Sequence, residues 1–530
     1  MSSTDIAARY NAVPYPRFIF YQTHPNRLAT VGYLLGMDVA DITQCRVLEL
    51  GCASGANLLP MAAQLPQSEF VGIDLAAVQI AEGQRMIEAL GLENVRLLEM
   101  NLLDFPEEMG QFDYIIAHGL FSWVPLEVQQ AILALCKRHL APHGIAYISY
   151  NTYPGWHVTD SIRDLMRFHT RNIDDPIAKT DAALEVVQWA QTVLSDEHNH
   201  AFGALLDVFQ HQLADQLHRI QSRDASSLLH DELSDFNQPY YFYEFMQMAT
   251  AHGLQYLAES HFAAVMPSDL SPETIVELNH LAGRDLIRRE QYMDYLRNRR
   301  FRQTLLVHDD VTLQRSISPE KLRRLFITTK AEPLYGSDPH RLPTHFTTPR
   351  GLKFDVENAA TAAALVALHA SAPIALSVGE LLAAVRNVLG LETIPLDAVN
   401  VLLVDLLHLF SIHEEFITLR VWRPTLPVEP PSPAQVWSVA RLFAEGDDFT
   451  VNLWHERIGL TPLAKRLLPY LDGQHDHAAL IEVMRGWLEG GQLSIEEPHP
   501  SDERIVYLLS KEIDKVLEWL MANALLLPAE

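Results

Sequence analysis

Cysteine is scarce in this sequence, which limits both the redox compartment and the metal chemistry. Its 530 residues contain three cysteines, Cys45, Cys52 and Cys136, and no Cys-x-x-Cys pair. Three cysteines cannot form a disulfide framework, and without a cysteine pair no zinc-ligand pattern is complete. We therefore expect a reducing compartment and no metal site.

Long apolar runs are also missing. No stretch approaches the roughly eighteen uninterrupted apolar residues of a membrane-spanning helix. Met1–Arg9 lacks the basic-then-apolar pattern of a secretory signal. The sequence therefore predicts a cytoplasmic protein that does not insert into a membrane.

Positive charge is in short supply. Lys and Arg total 40 against 67 Asp and Glu, for a net charge of −27. Such a surface repels phosphate backbones, so we expect no nucleic-acid partner. It would suit a basic or neutral protein partner, although an acidic surface also serves solubility alone. The length allows three or four domains.

The most informative stretch that is present is VLELGCASG at 47–55, followed by an acidic strand end at Asp74. Its apolar start predicts a buried parallel strand, and its small residues predict a sharp turn that a ligand can approach closely. Asp74 stands where a carboxylate can accept hydrogen bonds from ribose hydroxyls. An ordinary strand-to-helix turn is the alternative, but the spacing to Asp74 favours a nucleoside ligand.

The turn lacks the third glycine of a dinucleotide site, and Glu49 in the strand end would repel a phosphate. A carboxylate there suits a ligand with a cation. S-adenosylmethionine (SAM) carries a sulfonium and an ammonium group and no phosphate. The sequence therefore favours SAM over a dinucleotide.

The elements that follow predict a doubly wound α/β sheet. Strands are expected at 95–100, 111–119 and 144–150, with strand six at 253–259 and strand seven at 304–308. Residues 158–223 have apolar residues at helical spacing, which predicts a helical insertion over the ligand. Asn101 and Leu102, after the third strand, are placed to contact an adenine.

These motifs, in this order, resemble the class I SAM-dependent methyltransferases. The matches are ELGCASG at 49–55, GIDL at 72–75, NLLD at 101–104 and FDYII at 112–116. The resemblance implies a Rossmann-like seven-stranded sheet that binds SAM. It also implies the cofactor contacts, which are Glu49 at the ammonium, Gly51, Ala53 and Gly55 at the methionine part, Asp74 at the ribose, Leu75 and Leu102 around the adenine, Asn101 at its amine, and Ala117 or His118 at the methionine amine. The family usually has an acidic residue where Asn101 stands.

Further motifs outside this core look like a bacterial subgroup with an attached regulatory region. They are RYNAVPYP at 9–16, QTHP at 22–25, HGLFSWVP at 118–125, YNTYPGW at 150–156, FNQPYYF at 236–242 and RNRRFRQT at 297–304. The best-understood relatives are the rickettsial protein lysine methyltransferases of outer-membrane proteins. This resemblance covers about residues 8–308 and implies a methyl acceptor on a protein, most plausibly a lysine. Tyr10 would join the cofactor contacts.

A lysine acceptor must lose its proton, and an aromatic cage would hold its amine. The catalytic candidates are Tyr15, His118, Asn151 and Tyr153, of which His118 could be a general base. The substrate candidates are Trp123, Trp156, Asp231 and Glu232. For the two tryptophans, core packing is the alternative. His230, Asp231 and Glu232 could form a metal site, but recognition of a basic side chain by the two acids is the better hypothesis.

We expect a methyltransferase domain at 1–310, with its core at 45–150, a helical insertion or lid at about 158–235 and the regulatory region at about 220–305. Mainly α, winged-helix-like domains follow at 311–425 and 426–530. No motif in them carries chemistry. We expect them to make protein contacts, either in a homodimer or with the substrate. The alternatives to a protein methyltransferase are a small-molecule O- or N-methyltransferase and a SAM-binding regulatory protein without turnover.

Overall fold

A computed structural model describes residues 11, 13–195, 220, 225–234, 236–335, 338–495, 497 and 500–529. Tyr10 and part of the expected helical insertion therefore lie outside the described residues. Among the residues described, no helix is long and apolar enough to cross a bilayer.

A seven-stranded sheet organises the first 310 residues. Its strand order is β3-β2-β1-β4-β5-β7-β6. Neighbours among β1 to β5 are parallel, whereas β7 runs antiparallel to both β5 and β6. The strands are β1 (Arg46–Leu50), β2 (Glu69–Asp74), β3 (Val95–Glu99), β4 (Phe112–Ala117), β5 (Leu140–Asn151), β6 (Leu254–Glu259) and β7 (Phe301–His308). The predicted fold class is confirmed.

Helices cover both faces of this sheet, which explains the apolar character of its strands. Val47 packs into the core on one face and Leu48 into the core on the other, and both are fully buried. Alternate strand residues point to opposite faces, so a doubly covered sheet needs an unbroken apolar run. The helices described in the first 310 residues are α1 (Pro25–Leu34), α2 (Leu58–Gln64), α3 (Ala77–Leu90), α4 (Leu126–His139), α5 (Trp156–Thr170), α6 (Pro176–Ser195), α7 (Ala225–His230), α8 (Phe242–Ala251), α9 (Pro272–Ala282) and α10 (Leu286–Arg297), of which α5, α6 and α7 share a smaller core of their own.

A buried charge network joins the antiparallel edge of the sheet to α10. Arg302 on β7 is fully buried and lies 2.6 Å from Glu259 on β6, 2.8 Å from Asp294 and 3.3 Å from Glu290 on α10. Its guanidinium also stacks 3.7 Å above the Phe242 ring. These contacts hold β6, β7 and α10 together as one unit and join them to Phe242 of α8.

Two smaller helical units follow. The middle one contains β8 (Phe326–Thr328), β9 (Glu332–Pro333), β10 (Thr344–Thr347), β11 (Lys353–Val356), α11 (Ala359–Ser371), β12 (Leu376–Ser377), α12 (Val378–Leu389), α13 (Leu396–Ile412) and β13 (Thr418–Arg420). The last contains α14 (Ser438–Gly446), β14 (Phe449–Val451), β15 (Arg457–Gly459), α15 (Pro462–Leu467), α16 (His477–Glu489) and α17 (Asp502–Ala522). The β14–β15 hairpin and the β9–β11 sheet were not predicted, because strands of two to four residues carry no readable periodicity.

Candidate functional site

The turn between β1 and α2 is held tightly against the sheet. Gly51 and Gly55 both have φ of +71°, and Ala53 between them has φ of +49°, in the left-handed region. The backbone N–H of Gly51 donates to the carbonyl of Ile73 at 2.9 Å. A Cβ on Gly55 would come within 2.6 Å of the Leu97 side chain. The small residues are therefore required by the backbone and leave the turn open to a ligand.

Asp74 ties this turn to the start of α3. Its two carboxylate oxygens accept from the backbone N–H groups of Ala53 and Ala76, each at 2.8 Å. Burial raises the pKa of Asp74. Each oxygen has a second lone pair, so the same carboxylate can still accept from a ligand.

Glu49 places a buried carboxylate beside the turn. Its side chain is 4% exposed, and its Oε1 accepts from the Asn57 amide at 2.8 Å. Its Oε2 is buried and has no hydrogen-bond partner. Burial raises the pKa of Glu49 to about 8. A buried carboxylate oxygen that lacks a donor fits a ligand ammonium group.

The N-terminal segment lies across the start of α3. Asn11 accepts from the backbone N–H of Val78 at 3.1 Å, and the Tyr15 carbonyl accepts from the Gln79 amide at 2.9 Å. The Phe20 ring, further along this segment, has its centroid 3.7 Å from that of His118. The segment therefore packs over the start of α3 and over His118, which follows β4.

His118 follows the fully buried Ala117 at the end of β4. Its Nδ1 lies 2.8 Å from the hydroxyl of Tyr147 on β5. Burial lowers the pKa of His118 to about 3, so its ring is neutral at physiological pH. A ring with this pKa is a poor proton acceptor.

The adenine side of the predicted site contains Leu75, Asn101 and Leu102. Asn101 is the N-cap of a short 3₁₀ turn, and its Oδ1 accepts from the backbone N–H of Leu103 at 3.1 Å. Leu75 and Leu102 are both partly exposed. The side chain of Asn101 is thus fixed by its own turn.

Aromatic and acidic side chains gather after the end of β5. A pocket of about 430 Å³ is lined by Tyr153, Tyr240, Tyr241 and Glu244 among others. The Tyr153 and Tyr241 ring centroids lie 5.3 Å apart, and the Tyr153 hydroxyl donates to Asp160 at 3.2 Å. Burial and the Asp160 charge raise the pKa of Tyr153 to about 12.

The remaining candidates around β5 are Asn151, Trp123 and Trp156, and each contacts a neighbouring side chain. Asn151, at the end of β5, donates through its amide to Asn237 at 2.8 Å. Trp123 and Trp156 form an edge-to-face pair with centroids 6.2 Å apart. Each tryptophan therefore packs against the other, as the alternative to substrate binding expects.

Tyr15 meets the other predicted substrate residues near α7. Its hydroxyl donates to Asp231 at 3.5 Å, and its ring centroid lies 5.9 Å from that of His230. Glu232 is 7% exposed. Among the residues described, no group of three or more His, Cys, Asp or Glu side chains could hold a metal ion.

Sequence reasoning missed three residues that shape this site. Asn57 holds Glu49, Phe20 covers His118, and His455 from the C-terminal unit contacts Asn57 at 2.9 Å. Asn57 could have been recognised as an N-cap residue two positions after the glycine turn. For His455, no local signal exists.

Comparisons with known proteins agree with this geometry. Family models described as "Methyltransferase domain", "Predicted methyltransferase regulatory domain" and "PKMT, C-terminal winged helix domain" match residues 47–144, 224–308 and 433–525. The uncharacterized protein RP789 of Rickettsia prowazekii is 32% identical, over 98% of this chain and 93% of its own length. The chain belongs to the SAM-dependent methyltransferases that carry this regulatory domain.

Solved structures of this methyltransferase family extend the likeness to the whole chain. PKMT2 from Rickettsia typhi superposes with a TM-score of 0.85 at 26% identity, covering 97% of this chain and 100% of its own. The same protein in complex with AdoHcy gives a TM-score of 0.84. The protein is therefore a SAM-dependent methyltransferase, and the unpartnered oxygen of Glu49 and the open glycine turn are features that fit SAM.

Proposed function

We propose that this methyltransferase transfers the methyl group of SAM to the lysine amine of a protein. The observation that carries the proposal is the pocket formed by Tyr153, Tyr241 and Glu244 beside the carboxyl end of β5. Open α/β sheets bind their ligands at the carboxyl ends of the strands. Tyrosine faces with an adjacent carboxylate attract an alkylammonium group.

We assign the cofactor contacts to the β1 turn and its neighbours. Glu49 would meet the ligand ammonium through its free Oε2, and Asp74 would accept from the ribose hydroxyls. Gly51, Ala53 and Gly55 would line the methionine part, next to Ala117 and His118. Leu75, Asn101 and Leu102 would contact the adenine, with Asn101 using the second lone pair of its capping oxygen. SAM brings the methyl group as a sulfonium, so no leaving-group protonation is required.

On the acceptor side, the chain would align and dehydrate the lysine. A neutral amine is required for the transfer. Glu244 favours the ammonium form that enters the pocket, whereas desolvation by the tyrosine rings favours loss of its proton. Because burial lowers the pKa of His118 to about 3, we propose that His118 shapes the methionine side and does not take the lysine proton. Tyr15, Asn151 and Tyr153 would border the acceptor, with Trp123 and Trp156 behind them.

Two further observations support a protein substrate. The family model at 433–525 and the solved relative both carry the name PKMT, which denotes protein lysine methyltransferases. The net charge of −27 attracts lysine-rich segments and repels nucleic acid. We extend the lysine specificity from that relative to this chain as a proposal.

The test is methyl transfer from radiolabelled SAM into a size-fractionated lysate of the source organism. We expect label in a protein band, and mass spectrometry of that band should place the methyl group on lysine. The matched control is the same lysate after acetylation of its amines, in which the label should disappear. Label confined to the small-molecule fraction would contradict a protein substrate, and label that survives acetylation would contradict lysine.

A further inference from the structure

The tip of the C-terminal hairpin reaches the cofactor site. Between β14 and β15, residues Asn452–Glu456 form a tight turn in which His455 has φ of +59°. The His455 side chain is fully buried, although it belongs to a separate unit near the end of the chain. Its Nε2 lies 2.9 Å from the amide oxygen of Asn57.

The hydrogen bonds of Asn57 fix which way its amide faces. Its oxygen accepts from the backbone N–H of Phe20 at 3.0 Å and from His455. Its NH₂ donates to Glu49 at 2.8 Å and to the Thr23 hydroxyl at 2.9 Å. Because the Phe20 N–H can only donate, the amide oxygen must face it, and Nε2 of His455 must carry the proton. The amide therefore makes four hydrogen bonds.

Neighbouring contacts hold the hairpin tip in this position. Glu456 pairs with Lys330 of the middle unit at 2.8 Å, and the Trp454 indole donates to the Pro373 carbonyl at 3.0 Å. In the same unit, Asp447 pairs with Arg17 of the N-terminal segment at 3.1 Å. The tip is thus anchored to the middle unit, and the unit that carries the tip is also anchored to the N-terminal segment.

We infer that His455 is a positioning residue for the cofactor site, which orients Asn57 so that Glu49 presents its free oxygen to the SAM ammonium. The inference rests on the proposed role of Glu49 and adds a role for the C-terminal unit. Without the His455 donor, one lone pair of the buried Asn57 oxygen loses its partner. The amide then keeps three of its four hydrogen bonds and is held less firmly, so the orientation of Glu49 is less well fixed.

Calorimetric titration of the full-length protein with two ligands tests this role. The ligands are S-adenosylhomocysteine, which carries the ammonium group, and 5′-methylthioadenosine, which lacks the amino-acid part. We expect His455→Leu to weaken S-adenosylhomocysteine about tenfold, as for one lost buried hydrogen bond. It should change methylthioadenosine less than about twofold, since that ligand never meets Glu49. Equal weakening of both ligands would mean a packing role only and would overturn the inference.

Conservative and control variants separate positioning from folding. The amide NH₂ of His455→Gln can replace the Nε2 donor, so this variant should bind S-adenosylhomocysteine within about threefold of the native protein. The control His477→Leu removes another histidine of the same unit, paired with Asp514 on the surface, and should leave both affinities unchanged. A Gln variant as weak as the Leu variant would contradict the inference.

A double variant distinguishes the two proposals. Glu49→Gln should itself weaken S-adenosylhomocysteine, and adding His455→Leu to it should cost less than about a further twofold, because both act through one contact. If Glu49→Gln weakens binding but His455→Leu does not, the inference fails and the proposed cofactor site stands. If Glu49→Gln has no effect, the assignment of Glu49 fails and the role of His455 fails with it.

Discussion

At the scale of single residues, the proposed cofactor site contains a buried carboxylate, Glu49, whose protonation we expect to change on binding. Glu49 is buried, its pKa is raised to about 8 by burial, and one of its oxygens is free. In the ligand-free protein Glu49 is therefore protonated at neutral pH. Binding of an ammonium ion favours its ionised form and releases the proton.

The first prediction is that cofactor affinity rises with pH. Between pH 6 and 7.5 the ligand amine stays mostly protonated while Glu49 is mostly neutral, so affinity should rise by up to about tenfold per pH unit. Titration of S-adenosylhomocysteine at several pH values measures this slope. Glu49→Gln cannot ionise and should show a flat profile. A flat profile in the native protein would contradict the ionisation of Glu49 on binding.

The second prediction concerns Asp74, which accepts from Ala53 and Ala76. Asp74→Ala removes both acceptors and the proposed ribose contact, so SAM affinity should fall at least about tenfold. Asp74→Asn keeps one oxygen acceptor and should lose less. Equilibrium binding of labelled SAM provides the measurement. An unchanged dissociation constant in Asp74→Ala would remove the ribose assignment.

At the scale of elements, the sequence predicted the longer, regularly patterned elements and missed the shortest ones. The strand expected at 95–100 is found at Val95–Glu99, and the strand expected at 253–259 is found at Leu254–Glu259. The strand expected at 144–150 begins earlier, at Leu140, because irregular pairing with β4 extends through Pro142 and His143. The short β14–β15 hairpin, which carries His455 at its tip, was missed.

The third prediction tests the buried charge network that joins β6, β7 and α10. Arg302→Met leaves Glu259 buried without its cation and takes from Glu290 and Asp294 one of their two arginines, so it should lower the free energy of unfolding by about 3–5 kcal/mol. Arg138→Met breaks an exposed pair with Glu107 and should cost less than about 1 kcal/mol. Urea denaturation compares the two variants. Equal costs would show that the network adds nothing beyond a surface pair.

At the scale of the whole molecule, the C-terminal unit packs against the parts of the chain that precede it. The C-terminal unit contacts the N-terminal segment through Arg17 and Asp447 and the N-cap residue of α2, Asn57, through His455. A domain that sequence reasoning treated as a contact module thus contacts Asn57, the residue that holds Glu49. The net charge of −27 sets the electrostatic field that an approaching substrate meets.

The fourth prediction follows from the net charge of −27. Raising the ionic strength from about 0.1 M to about 1 M shortens the screening length from about 10 Å to about 3 Å. For a lysine-rich peptide, kcat/KM should fall by at least about tenfold, because electrostatic attraction is lost. A neutral peptide with one lysine is the control and should change little. Equal responses of both peptides would contradict charge-driven substrate capture.

The sequence by itself determined the sheet, the glycine turn and the acidic strand end, because each is encoded within a short window. A left-handed turn needs small residues, and a doubly covered strand needs an apolar run, wherever they occur. Only the tertiary structure brought Tyr153 beside Tyr241 and placed His455 against Asn57, 398 residues away along the chain. Such contacts depend on how distant elements pack, and no local pattern of residues records that packing.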